Sequence, residues 1–247
     1  MARDRPEGGP VPAQQDKRTP ASASTRAEID AFLDKVRNLT PSREPGRRGR
    51  LIFALDATMS RQPTWDQACV LQADMFREAA GVGGLDVQLV YYRGLSECAA
   101  SRWVSDPARL ARLMERIDCR GGNTQIRRVL THAQTEAQRD KVQALVFVGD
   151  AMEESVDNLS GIAGELGLRA TPVFMFQEGD DAVAEQAFRE VARLSHGAYC
   201  RFNPGAAQEL GELLRAAAAY AAGGLKALDD LSQQQNAGAQ RLLAQLR

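Results

Sequence analysis

Side chains that carry oxygen are spaced along this sequence in a way that suits a metal ion. Asp56, Thr58 and Ser60 follow an apolar run at alternate positions, which directs all three the same way in a turning loop. Asp150 ends a second apolar run, and Thr124 follows Gly-Gly-Asn between them. Oxygen ligands without thiols or imidazoles suit a hard cation. Mg²⁺ is favoured because it tolerates few protein ligands and keeps several waters, with Mn²⁺ or Ca²⁺ as alternatives.

Five short apolar runs predict the strands of the sheet that positions these residues. They alternate with amphipathic segments, a pattern typical of a mostly parallel sheet with helices on both faces. Ligands of such sheets bind beyond the carboxyl ends of the strands, where two neighbouring loops diverge. The segment after Tyr92 is too short for a crossover helix and predicts an antiparallel edge hairpin. The predicted strands are residues 51–55, 86–92, 144–149, 172–177 and 198–202.

Helix starts are indicated by capping residues. Thr64 with Gln67 resembles a capping box, and Asp106 followed by Pro107 predicts an N-cap and first helical residue. Thr124 has a second interpretation, as the N-cap of a helix that begins near residue 125.

The chain divides into four predicted segments. Residues 1–25 carry four prolines and no hydrophobic period, so we expect a disordered tail. Residues 26–50 predict a short amphipathic helix and a basic linker. Residues 51–224 form the predicted α/β domain. Residues 225–247 predict a helix that either docks on the domain or binds a partner.

Composition excludes several classes of protein. The 247 residues are 44% hydrophobic and 26% charged with a net charge of −1, which argues against a polybasic nucleic-acid binder. No signal-like apolar region opens the sequence and no apolar run is long enough to span a bilayer, so we expect a cytoplasmic protein without membrane contact. Four widely spaced cysteines without a CxxC motif predict reduced thiols.

The five oxygen-bearing residues resemble the metal-ion-dependent adhesion site (MIDAS) of von Willebrand factor A (VWA) domains, in their bacterial intracellular type. That family places Asp-x-Ser-x-Ser after the first strand, a Thr in a middle loop and an Asp after the fourth strand. The resemblance covers about residues 50–224, with the first motif present as DxTxS. The matching residues are Asp56, Thr58, Ser60, Thr124 and Asp150.

The resemblance implies a fold and a function. The fold is a doubly wound, mostly parallel six-stranded sheet with one antiparallel edge strand and helices on both faces. The function is metal-dependent protein binding without catalysis, in which a carboxylate of the partner completes the coordination of Mg²⁺. The implied partner presents Asp or Glu, as part of an intracellular assembly such as an AAA+ ATPase or a chaperone-like complex.

Four further residues are candidates for contact with that partner. Arg61 follows the metal motif directly and either competes with the metal or pairs with an acidic partner. Tyr92 and Arg93 end the second predicted strand, and the alternative is that they simply close it. Glu153 has a second interpretation as a solvated residue at the start of a helix.

Two other functions compete with the binding module. A haloacid-dehalogenase-like phosphatase would use Asp56 as nucleophile, Lys141 to steady it and Asp180-Asp181 to hold Mg²⁺. That family normally has a second Asp as general acid two residues after the nucleophile, where this chain has Thr58. A scaffold with a degenerate metal site is the other alternative, suggested by Met59 within the motif and Arg61 directly after it.

Overall fold

The computed structural model describes residues 48–80, 83–204 and 206–246. The predicted tail and nearly all of the predicted helix and linker lie outside the described residues. The strands are β1 (Gly49–Asp56), β2 (Leu85–Arg93), β3 (Glu97–Ala100), β4 (Ala144–Gly149), β5 (Val173–Glu178) and β6 (Ala198–Phe202). The helices are α1 (Gln62–Ala80), α2 (Pro107–Met114), α3 (Ile126–Arg139), α4 (Val156–Leu168), α5 (Ala182–Leu194), α6 (Ala207–Gln233) and α7 (Ala237–Leu246).

All six strands form one sheet in the order β3-β2-β1-β4-β5-β6. β3 runs antiparallel to β2 and the other neighbours are parallel, which confirms the predicted fold class and the predicted edge hairpin. The chain moves outward from β1 to β3 on one side and from β4 to β6 on the other. The order therefore reverses between β1 and β4, which is where an open α/β sheet leaves a crevice at its carboxyl edge.

Helices cover both faces of the sheet, as the sequence predicts. Side chains of α1, α2, α6 and α7 pack on one face, and side chains of α3, α4 and α5 pack on the other. Alternate residues of β1 supply each face: Leu51 and Phe53 belong to the first core and Ile52 to the second. Burial on both faces explains why β1 reads as a continuous apolar run.

β1 begins at Gly49, inside the segment that the sequence assigns to the linker. A Cβ on Gly49 would lie only 2.1 Å from the carbonyl oxygen of Ala221 in α6. Glycine therefore allows α6 to approach the start of the central strand closely.

The capping predictions have different outcomes. Asp106 caps α2 as predicted, because its carboxylate accepts a hydrogen bond from the Ala108 amide. Thr64 is not an N-cap, since α1 begins at Gln62 and places Thr64 in the first turn. Its buried hydroxyl donates instead to Glu178 at the end of β5.

The C-terminal segment is docked on the domain. α6 contains a break at Gly224, whose φ of 68° departs from helical geometry. Leu242, Leu243 and Leu246 of α7 are buried in the same core as α6 and the first face of the sheet. The Gln245 side chain also completes the edge of the sheet, since it accepts from the Tyr199 amide and donates to the Tyr199 carbonyl.

Among the helices of the described residues, none combines the length and the apolar character needed to cross a membrane.

Candidate functional site

Four of the five predicted metal ligands form a hydrogen-bonded line across the switch point of the sheet. The Asp56 Oδ1 atom accepts from the Thr58 amide at 2.7 Å, and the Thr58 and Ser60 hydroxyls lie 3.4 Å apart. The Ser60 hydroxyl donates to Asp150 Oδ2 at 3.2 Å. The structure therefore joins the end of β1 to the loop after β4 through the Thr58 amide and four polar side chains.

Close packing of β4 on β1 brings the two aspartates to the same crevice. A Cβ on Gly149, the residue before Asp150, would lie 3.8 Å from the Cβ of Asp56 and in steric conflict with Phe147. Asp56 is 3% exposed, while the Asp150 side chain is 28% exposed. The site is thus a buried carboxylate behind a more accessible one.

Thr124 joins the site through the loop after β4. Its hydroxyl accepts from the Glu153 amide at 3.1 Å, and the Glu153 carboxylate accepts from the Thr124 amide at the same distance. In the described part of the chain, Thr124 makes no hydrogen bond to the other four residues. The structure places Thr124 beside the site, on the third of three adjoining loops.

Thr124 is not the N-cap of α3. The helix begins at Ile126, and the carboxylate of Glu154 accepts hydrogen bonds from the amides of Ile126 and Arg127. Burial raises the pKa of Glu154, and the two backbone hydrogen bonds act in the opposite direction. The cap is supplied by another loop, a function of Glu154 that the local sequence of α3 does not indicate.

Burial of the Asp56 carboxylate away from solvent dominates its electrostatics. Burial raises the pKa of Asp56 above its usual value, the hydrogen bonds from Thr58 lower it, and the charge of Asp150 raises it further. A nearby cation would favour the ionised form of both carboxylates.

Arg61 lies next to Asp150, and it is buried rather than exposed to a partner. Only 3% of Arg61 is exposed, and its Nη1 atom pairs with Glu178 Oε2 and lies 3.8 Å from Asp150 Oδ2. The prediction that Arg61 contacts a partner is therefore not supported by its position, because Glu178 draws the guanidinium inward. Its Nε and Nη2 atoms are buried without a hydrogen-bond partner among the described residues.

The other proposed partner contacts are in three different environments. Tyr92 is fully buried and stacks on Phe147, so it cannot contact a partner in this conformation. Burial raises the pKa of Tyr92 well above its usual value, and the nearby Asp56 carboxylate adds to this effect. Arg93 is partly buried, pairs with Glu97 at 2.9 Å and donates to the Asp118 carbonyl at 2.7 Å. Glu153 is exposed beside Thr124.

The donor set fits a hard divalent cation that retains water ligands. Among the described residues no group of three or more His, Cys, Asp or Glu side chains is placed to hold a metal ion. A metal here would therefore depend on hydroxyl ligands beside two carboxylates, which is the chemistry of the line from Asp56 to Asp150.

The structure does not bring Lys141 to Asp56, as the phosphatase alternative would require. Lys141 precedes β4 and donates to the carbonyls of Arg169 and Ala170, at the amino edge of the sheet. Asp56 ends β1, which runs parallel to β4, so it lies at the opposite edge. Asp181 caps α5 through a bond to the Ala184 amide.

Three of the exposed apolar side chains lie at the carboxyl edge of the sheet. Met59 follows β1, Leu95 lies in the turn between β2 and β3, and Val183 lies in the first turn of α5; they are 62%, 81% and 59% exposed. All three belong to segments at or near the carboxyl ends of strands.

Glu178 is a site residue that sequence analysis missed. It ends β5 in the same way that Asp150 follows β4, so an acid at the end of a buried apolar run was the available signal. Its importance depends on the contact with Arg61, which only the folded arrangement of β5 and the loop after β1 produces.

Solved VWA domains share this fold. The SpRpn10 VWA domain aligns with a TM-score of 0.52 at 13% identity, over 66% of this chain and 95% of that one. An aerotolerance-related membrane protein from Bacteroides fragilis NCTC 9343 aligns with a TM-score of 0.51 at 17% identity, over 67% of this chain and 96% of that one.

A third solved structure with a similar fold is named for a metal-occupied motif of its own. It is proximal thread matrix protein 1 from the mussel byssus with a zinc-occupied MIDAS motif, with a TM-score of 0.53 and 14% identity, over 70% of this chain and 46% of that one. No family model and no curated protein sequence matches this chain. At these identities the comparisons establish the architecture alone: the chain has the VWA-type α/β fold.

Proposed function

We propose that this chain is a protein-binding module whose contact with its partner depends on a divalent cation. The observation that carries the proposal is the line of hydrogen bonds from Asp56 through Thr58 and Ser60 to Asp150. It assembles an oxygen-only donor set at the switch point of the sheet, where such folds bind ligands. The proposed ligands are these four residues and Thr124, and the proposed cation is Mg²⁺, with Mn²⁺ or Ca²⁺ as alternatives.

The residues of the chain have distinct functions in this proposal. Asp56 supplies a buried negative charge that water does not screen, and Asp150 supplies one near the surface. The Ser60 hydroxyl orients Asp150, while Glu153 and Glu154 hold the loop of Thr124 in place. When bound, the cation supplies positive charge toward an acidic side chain of the partner.

The partner we propose is a protein that presents Asp or Glu within an apolar surface. The carboxylate would be drawn to the cation, and the exposed side chains of Met59 and Leu95 would contact the surrounding surface. Glu153 and Arg93 border the same edge, although Arg93 is already paired with Glu97. An intracellular assembly such as an AAA+ ATPase or a chaperone-like complex remains the class of partner implied by the sequence resemblance.

The binding of the metal is tested by thermal unfolding and calorimetry with Mg²⁺ and Mn²⁺. A cation that binds only the native state stabilises it by about 2.7 kcal/mol at a concentration 100 times the Kd. We expect Asp150→Ala to abolish this increase in Tm, and Asp180→Ala, an exposed acid at the same edge, to retain it. An unchanged Tm together with no heat of binding would establish the scaffold with a degenerate site.

The binding of a partner is tested separately, by affinity capture from the native cell with Mg²⁺ or with chelator. A partner of the proposed kind is retained with Mg²⁺, released by chelator and not captured by Asp150→Ala. Capture of the same partner in chelator and by Asp150→Ala would contradict metal-dependent recognition.

The absence of phosphatase activity is part of the proposal. Without an acid at the position of Thr58, a leaving group would depart unprotonated, at a loss of about 100- to 10,000-fold in rate. A panel of phosphomonoesters should therefore show only background turnover. Turnover that is lost in Asp56→Asn but kept in Ser60→Ala would establish an enzyme instead.

A further inference from the structure

One nitrogen of Arg61 lies between two acids. The Nη1 atom pairs with Oε2 of Glu178 and lies 3.8 Å from Oδ2 of Asp150. The Oδ2 atom of Asp150 is also the acceptor for Ser60, so it belongs to the proposed metal site. A positive charge of the chain itself therefore lies beside a ligand of the metal.

Glu178 holds this positive charge away from Asp150. The Glu178 carboxylate is buried and accepts a hydrogen bond from the Thr64 hydroxyl, which fixes it at the start of α1. Without Glu178, Asp150 would be the nearest acid to Nη1, and the guanidinium would gain Coulomb energy by moving toward it. Such a movement would place Arg61 closer to the position that a cation requires.

The Arg61 guanidinium does not use all of its hydrogen-bond donors within the described residues. Its Nε and Nη2 atoms are buried without hydrogen-bond partners among the described residues, and unmade hydrogen bonds of charged groups carry a cost. The ion pair with Glu178 is therefore the main interaction that keeps the guanidinium where it is.

We propose that Arg61 competes with the divalent cation for Asp150, and that Glu178 limits this competition and thereby sets the affinity of the site for metal. This inference rests on the proposed metal-binding function. It assigns Arg61 and Glu178 as residues that determine metal affinity without being ligands. For Arg61 it favours the competition with metal over the partner contact, the two alternatives that the sequence left open, and it adds the function of Glu178.

Two substitutions should change the affinity for metal in opposite directions. Arg61→Met removes the competing charge and should bind Mn²⁺ about tenfold more tightly or better, the order of effect of one charge a few ångströms away. Glu178→Gln releases Arg61 toward Asp150 and should bind Mn²⁺ about tenfold more weakly. The measurement is a titration with Mn²⁺ followed by calorimetry and by the electron paramagnetic resonance signal of free Mn²⁺.

The double variant distinguishes this mechanism from a simple change of net charge. If Glu178 acts through Arg61, then Glu178→Gln should change the Kd by less than about threefold in the Arg61→Met background. If Glu178 acts only through its own negative charge, its effect will be equal in both backgrounds, which would overturn the proposal. The double variant also avoids the buried charged carboxylate that Arg61→Met alone leaves without the guanidinium, and thermal unfolding verifies that each variant is folded.

Arg50→Met is the matched control, because Arg50 is a mostly buried arginine at the opposite end of β1 and pairs with Glu136 and Asp140 rather than with Asp150. It should leave the Kd for Mn²⁺ within about threefold of the unmodified chain. Folded Arg61→Met that binds Mn²⁺ no more tightly would overturn the competition while leaving metal binding intact. Absence of Mn²⁺ binding in every folded variant would overturn the proposed function, and this inference with it.

Discussion

Gly122 lies directly against the backbone of Gly94: a Cβ on Gly122 would fall 2.0 Å from the Gly94 carbonyl oxygen. The amide of Asn123 also donates to that carbonyl at 3.3 Å. The turn between β2 and β3 is thus packed on the loop that carries Thr124. Glycine at position 122 is what permits this close approach.

Gly122→Ala should therefore destabilise the domain, by about 1–3 kcal/mol, because backbone atoms must separate to admit the methyl group. Gly121→Ala is the control, since a Cβ at that position would meet nothing within 4 Å. Urea unfolding measures both. Equal stability of the two variants would show that the contact is not retained in solution.

Asp56→Asn should stabilise the metal-free protein at neutral pH. Burial raises the pKa of Asp56 in the folded state, so the folded state binds this proton more tightly than the unfolded state does. The stability from this group is complete below the ordinary pKa of 3.8 and is lost as the pH rises through the raised value. A neutral amide keeps the acceptor for Thr58 and avoids that loss.

Urea unfolding in the presence of chelator, at several pH values, checks the effect of Asp56→Asn. The gain in the free energy of unfolding should shrink as the pH falls toward the ordinary Asp pKa. In a separate thermal unfolding experiment, the Tm of the variant should not respond to Mg²⁺. A variant less stable than the unmodified chain at neutral pH would contradict the assignment of Asp56 as a buried carboxylate without a compensating charge.

α7 should contribute substantially to stability. Leu242 is fully buried between α6 and the sheet, so Leu242→Ala should cost about 2–5 kcal/mol. Gln240 is exposed on the same helix, and Gln240→Ala should have an effect within about 0.5 kcal/mol. Equal effects would show that α7 is not docked.

Because α7 is part of the core, deletion of residues 225–247 would alter the core itself and cannot serve as a test of partner binding.

The thiols should be slow to react in the native protein. Burial raises the pKa of Cys69 and of Cys119 to about 11, with nearby carboxylates adding to the effect. About one thiol in a thousand is then ionised at pH 8, and the thiolate is the reactive form. Alkylation by iodoacetamide at pH 8 should be slow in buffer and much faster in concentrated urea. Rapid labelling of folded protein at either residue would contradict this burial.

Much of the fold was predictable because each strand has its own local signal. The apolar runs of β1 and β4 end in Asp56 and Asp150, and the carboxyl ends of parallel strands meet at one edge, so the pairing of these residues followed from the pattern. The sequence does not reveal which neighbour each side chain faces. Since β2 is buried on both faces, its pattern cannot show that Tyr92 points into the core while Tyr91 remains partly exposed.

The functions of Arg61 and Glu154 were not predictable from their local sequence. Arg61 is drawn inward by Glu178, which lies 117 positions away in the chain and on a strand that does not touch β1. Glu154 caps a helix that precedes it by 28 positions. Both contacts depend on the order of strands in the sheet, and no periodicity in the sequence encodes that order.

The reciprocal bonds between Glu153 and Thr124, together with the cap from Glu154, fix the geometry of the loops before any ligand arrives. Association then requires little ordering of backbone, so most of the conformational entropy that binding commonly costs has already been lost on folding. We therefore expect rigid-body docking, with a surface of nearly the same shape in the free and the bound protein. Discrimination between partners would then depend on the fit to one preformed shape rather than on adaptation to each of them.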